Sequence, residues 1–164
     1  MSSTAPSLPD LIVRLAAIDE AAEVSTVLRD AFEPYRPLYT PAAFAATTPS
    51  AEELRQRWHE GPVWVAAQSD RIVGTVAAVP RPGALYMRSL AVRRASGGAG
   101  CGCRLVEAVE RHAAGHGFAM IVLSTTPFLD SAIALYERCG FRRTDAGPLD
   151  LAGTPLFTMQ KILE

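Results

Sequence analysis

The sequence predicts a protein of the α/β class, built on a mixed sheet with helices on both faces. Three observations carry this. The length of 164 residues suits one domain. Short β-rich runs alternate with stretches of three-to-four periodicity. No repeat, low-complexity tract or linker divides the chain. The expected organisation is therefore a flexible leader over residues 1–10 and a single domain over 11–164. Apolar residues make up 49% of the chain and charged residues 20%, with a net charge of -1, which excludes disorder, collagen and coiled coil.

The leader, MSSTAPSLPD, combines two prolines with four Ser/Thr. LIVRL follows as a short strand. Asp19 and Glu20 then open a helix whose apolar residues Ala21, Val24, Val27, Leu28, Ala31 and Phe32 recur at helical spacing. Segment 33–50, with four prolines, reads as irregular. Ser50 and Glu53 have capping-box spacing, in which each side chain satisfies the other's free backbone donor, and start a helix to about His59. VWVAA and RIVGTVAAV, joined by QSD, form a hairpin of antiparallel strands. After the breaker PRPG comes the strand ALYMRSLAV. A glycine-rich stretch, RRASGGAGCG, runs into a helix with Leu105, Val109 and Ala113 on one face, stopped by Gly117. FAMIVLSTT reads as a strand buried on both faces. FLDSAIALYERCG is a helix with Phe128, Ala132, Leu135 and Cys139 inward, and FRRTD and PLFTMQKIL close the chain as strands.

The glycine stretch is the first chemical signal. It delivers a strand to the start of a helix, where backbone amides lack intrahelical partners and the dipole leaves partial positive charge, so an anion belongs there. Gly98, Gly100 and Gly102 remove Cβ atoms at every second position, which lets loop amides approach a phosphate. Arg93, Arg94 and Arg104 bracket the loop. It is no P-loop, for no G-K-[ST] follows, and its glycines do not fit G-x-G-x-x-G.

Together with the later LYERCGF, this order of elements resembles the GNAT superfamily of acyl-CoA-dependent N-acetyltransferases over nearly all of residues 11–163. The family segment V-x-P-x-x-R-G-x-G-I-G-x-x-L is here VRRASGGAGCGCRL: Val92, Gly98, Gly100, Gly102 and Leu105 match, while Arg94, Gly97 and Cys101 replace the usual proline, arginine and aliphatic residue. A-x-x-L-Y-E-x-x-G-F is here AIALYERCGF, with Ala132, Leu135, Tyr136, Glu137, Gly140 and Phe141 as expected. Where the family often has asparagine seven residues before the tyrosine, this chain has Leu129, which leaves Ser131 as the polar group nearby.

The resemblance implies a mostly antiparallel sheet of six to seven strands and acetyl-CoA as acyl-donor co-substrate. The backbone of Leu90, Ala91 and Val92 would pair with the pantetheine amides like an added strand. The pyrophosphate would lie on Gly97, Gly98, Ala99, Gly100, Cys101, Gly102, Cys103 and Arg104. The strands ALYMRSLAV and FAMIVLSTT would part as a V, with Ser89 and Thr125 lining the opening. An amine would attack the thioester directly in a ternary complex. Holding a lysine-like amine of pKa near 10.4 neutral at pH 7 costs about 4.6 kcal/mol, which a base or desolvation must supply. The strand LYMRSLAV holds no carboxylate, so no base is assigned; Glu33 and water relays are candidates. Tyr136 is the candidate acid, a phenol that keeps its proton at pH 7.

Other residues read more plainly. His112 and His116 lack the Glu of H-E-x-x-H and suit a helix end, so no metal is expected. Cys101, Cys103 and Cys139 cannot form a paired disulfide framework and read as reduced thiols. Trp58, Tyr35, Tyr39 and Phe44 serve a core or an acceptor pocket. The near-neutral charge argues against nucleic acid and anionic membranes as partners, and the acceptor is a small amine or a protein amino group. The start lacks a secretory pattern, which makes the cytoplasm the expected location. Oligomeric state is open, with a homodimer compatible. Two rivals remain: a non-catalytic acyl-CoA sensor and a dinucleotide-binding module.

Overall fold

In the computed structural model, which describes residues 10–97, 100–147 and 149–164, eight strands and five α-helices follow one another. They are β1 (Ile12–Leu15), α1 (Ala21–Phe32), α2 (Pro41–Thr47), α3 (Ala51–Gln56), β2 (Val63–Gln68), β3 (Arg71–Arg81) and β4 (Ala84–Val92), then α4 (Cys101–Gly115), β5 (Met120–Thr125), α5 (Asp130–Arg138), β6 (Arg142–Arg143), β7 (Leu149–Leu151) and β8 (Thr154–Ile162). The leader expected over residues 1–10 lies, but for Asp10, outside the described residues.

The strand order is β1-β2-β3-β4-β5-β8-β6, with β7 pairing β8 beside that path. Every pairing is antiparallel except β4 with β5. The path thus holds seven strands, and the β7–β8 hairpin adds one drawn from a segment in which the sequence showed no strand. Ser69 and Asp70 both take positive φ, 51° and 65°, the geometry of a two-residue hairpin turn whose twist matches its strands.

Alternation along the strands fixes the two faces. Trp64, Ala66, Val73, Val76, Leu85 and Met87 enter one core with Leu105, Val106 and Val109 of α4. Val65 and Ile72 point the other way, into a second core with Val24, Val27 and Leu28 of α1 and Leu54 of α3. A third cluster joins Tyr39, Ala43 and Phe44 to Tyr35 and Phe128.

Three expectations need correction. Segment 33–50 is helical for most of its length: a 3-10 stretch, Glu33–Leu38, leads to α2. The prolines permit this because Pro41 occupies the first helical position, where its missing N–H costs nothing, and the Thr40 hydroxyl accepts from the Ala43 amide. β5 is buried on one face only; Ile121, Leu123 and Thr125 are covered while Met120, Val122 and Ser124 are half-exposed, since α1 packs over β3 and β4 instead. Phe128 precedes α5 and packs edge-on against Tyr39 at 4.9 Å, whereas Ala132, Leu135 and Cys139 do pack inward against the first core, beside the more deeply buried Tyr136.

Candidate active site

The site begins with a fault in β4. Thr75 opposes Ala91 and Ala77 opposes Arg88, so three steps along β4 face two along β3, and the extra residue is a bulge. Ser89 adopts φ 58°, a left-handed conformation rare for a residue with a side chain. One extra residue flips every later side chain to the other face. Leu85 and Met87 face α4, and after the bulge Leu90 and Val92 do so too, while Ala91 turns to the α1 core.

The second fault is a parting of strands. β4 pairs with β5 at Leu85–Ile121 and Tyr86–Val122 alone, although both strands run on. β5 stays in register with β8 through Thr125 opposite Phe157. The backbone of β4 beyond Tyr86 therefore loses its neighbour on that side, the V expected from the sequence.

A cleft of about 840 Å³ lies along this free length. Leu90, Ala91 and Val92 form its strand wall, Gly97, Gly100, Cys101, Gly102 and Cys103 its loop and helix end, and Ser131, Leu135 and Tyr136 the α5 wall. Gly98 and Ala99 lie outside the described residues. Arg104 does not line the cleft; its Nη2 donates to the Leu11 carbonyl at 3.3 Å. Arginines 93, 94 and 138 do line it. Sequence reading passed over Arg138, yet Ser131, Leu135 and Arg138 stand at i, i+4 and i+7, one face of a helix. It also missed Ala31, Phe32 and Pro34 at the end of α1.

At the foot of the cleft, Gly100 caps α4 in the left-handed region, φ 81°, with no side chain bonding to the helix amides and no acidic residue in the first turn. A Cβ on Gly102 would come within 2.8 Å of Leu135 Cδ2, so the absence of a side chain lets α4 and α5 approach closely. The loop is tied to α1, because the Asp30 carboxylate accepts from the Arg94 amide at 2.9 Å; that bond holds its pKa below the usual range. Arg93 Nε donates to the Ile72 carbonyl at 2.9 Å.

Burial governs the thiol and phenol here. Cys101 is pushed up to about 11 by burial, only partly offset by Arg104. It is a packed thiol, not a thiolate. Tyr136 is 7% exposed, and burial holds its hydroxyl well above the ordinary phenol range. None of the described residues lining the cleft is a carboxylate. Glu33, a candidate base, is spent on Arg36 at 3.0 Å. His112 and His116 stack at 4.0 Å near the far end of α4, with His112 edge-on to Trp64.

The description of one protein family, the acetyltransferase (GNAT) family, matches residues 26–141. The chain belongs to that family. Among similar proteins, human N-acetyltransferase 8B is 34% identical over 87 residues, covering 49% of this chain and 38% of its own. A mouse relative, probable N-acetyltransferase family 8 member 5, is matched over 40% of its length, so the chain spans about two fifths of these curated proteins. The uncharacterized N-acetyltransferase YjgM of Escherichia coli (strain K12) is 26% identical over 88% of this chain and 89% of its own. The fold is shared with the PaiA N-acetyltransferase of Thermoplasma acidophilum, solved in complex with coenzyme A, which superposes with a TM-score of 0.79 at 16% identity over 93% of this chain and 99% of that one. No described helix is long and apolar enough to cross a membrane.

Proposed function

We propose that the protein is an N-acetyltransferase that moves an acetyl group from acetyl-CoA to a primary amine by direct attack in a ternary complex. The observation that carries this reading is the cleft, which runs from a stretch of β4 unpaired on one side to the start of α4, where the Gly100 cap has no side chain to bond the helix amides. Acetyl-CoA supplies a thioester, whose carbonyl carbon accepts the amine, and a pyrophosphate to hold it. The chain fits both. Backbone groups of Leu90, Ala91 and Val92 are free to pair with an extended pantetheine. Amides at Gly100 to Cys103, with Arg93, Arg94 and Arg138 beside them, suit an anion.

Tyr136 supplies the proton. Its burial keeps it protonated across the working range, so it can donate a hydrogen bond to a developing thiolate. Amine deprotonation falls to solvent or to the amine's own pKa, since the described lining holds no carboxylate. That same lack favours a second reading, a non-catalytic acyl-CoA sensor. Incubation with acetyl-CoA and a panel of primary amines decides between them: thiol release that depends on the amine is expected, and binding without release above background hydrolysis would leave the sensor.

A further inference from the structure

We propose that the acceptor amine carries a carboxylate, held by Arg57 and Arg88 beside the bulge at the head of the cleft. This rests on the acetyltransferase reading and narrows its substrate class. A second cavity, of about 20 Å³, lies between α1, α3 and the sheet, with Arg57, Arg88 and Ser89 among its walls. Its space admits one or two water-sized atoms, room for a carboxylate oxygen. One residue along β4, Leu90 and Ala91 line the large cleft. Ser89 of the small cavity and Leu90 of the large one are consecutive residues at the bulge, on the stretch of β4 that has already left β5.

Charge in the small cavity is out of balance. Arg88 Nη2 donates to Glu60 Oε1, but Arg88 Nε is buried with no hydrogen-bond partner among the described residues. Arg57 has no carboxylate within salt-bridge distance among them; burial, and then the neighbouring Arg88, lower its pKa. Glu53, the other carboxylate that acts on Arg57, accepts from the Ser50 amide in the capping box. Two guanidinium groups thus face one bound carboxylate. The buried Arg88 Nε without a partner is costly, and the half-buried Arg57 has no ion pair to offset its partial loss of water. A second carboxylate relieves both, because its two coplanar oxygens match the guanidinium fork.

Donor phosphates belong at the other end of the large cleft, where α4 begins, so the anion at the bulge comes with the acceptor. The test pairs glycine, phenylalanine, methionine and glutamate each with its carboxamide, and adds β-alanine and 4-aminobutyrate with theirs, in the acetyl-CoA assay. A carboxamide makes the amine less basic and more of it neutral at pH 7, so without a carboxylate site the amide reacts faster. We expect the acid to exceed its amide in kcat/KM by at least tenfold for one or more pairs. Arg57→Met and Arg88→Met should each lower that ratio by at least tenfold. Should Arg88→Met not fold, the parent ratio and Arg57→Met decide. An acid-to-amide ratio at or below one in every pair, or a high ratio unchanged in Arg57→Met, overturns the inference alone. Turnover of no amine at all overturns the acetyltransferase reading, and the inference with it.

Discussion

Tyr136 packs its ring 6.0 Å from Phe141, and the surrounding core leaves it little contact with water. That packing separates two roles the residue could have. Tyr136→Phe retains the ring and deletes only the hydroxyl, so a packing role predicts an enzyme that turns over normally. If the hydroxyl protonates the departing thiolate, kcat falls about 10²- to 10⁴-fold while the KM for acetyl-CoA changes little. Single-turnover measurement reads the chemical step apart from product release, and a Phe variant equal to the parent there assigns the acid elsewhere. At this scale motifs pointed to Tyr136, Gly97, Gly100 and Gly102, all of which line the cleft. The sequence was silent on Arg57 and Arg88, which lie 31 positions apart and meet only because the helical turn after α3 packs over β4.

Among the elements, β4 carried a signal that went unread. Its apolar residues Leu85, Met87, Leu90 and Val92 are spaced two, three and two apart, and a change of phase inside a strand marks a bulge. Segment 33–50 carried another in Thr40-Pro41, a cap followed by a first-turn proline. The parting of β4 from β5 was legible only through family resemblance, because strand pairing is a tertiary property. The turn into α1 offers a test of local electrostatics. Glu20 takes both Arg14 Nη groups, at 2.9 and 2.7 Å, and the Ala17 amide at 2.8 Å. Those bonds, the Arg14 pair first, lower its pKa from 4.5 to about 2. A depressed carboxyl stabilises the fold above its unfolded pKa and loses that contribution as pH falls through the folded one. The pair is partly exposed to solvent, so Glu20→Gln should cost about 0.5–1 kcal/mol at pH 7. In denaturant titrations the gap between parent and variant should close between pH 4.5 and about 2; a gap that stays constant over that range assigns the effect to shape, not charge.

At the scale of the whole molecule, the sheet has two parts, β1 to β4 and β5 to β8, joined by two parallel residue pairs and by the core beneath α4. The cleft opens between them, with one wall from β4 and another from α5. A ligand along Leu90 to Val92 and against α5 therefore bridges both parts, and binding selects the folded state over the unfolded chain, which has no such cleft. Acetyl-CoA at 100 times its Kd should add about 2.7 kcal/mol of stability. For a chain of this size each kcal/mol raises Tm by about 2–4 °C, so a rise of about 5–11 °C is expected. Coenzyme A should give much of the same shift, because the pantetheine and pyrophosphate contacts do not need the acetyl group. NAD, which shares a pyrophosphate but offers no pantetheine to pair with β4, should give little. A melting curve unmoved by millimolar acetyl-CoA would count against the donor site itself. Equal shifts with NAD and acetyl-CoA would instead mean that the glycine loop binds the pyrophosphate while the free edge of β4 contributes nothing.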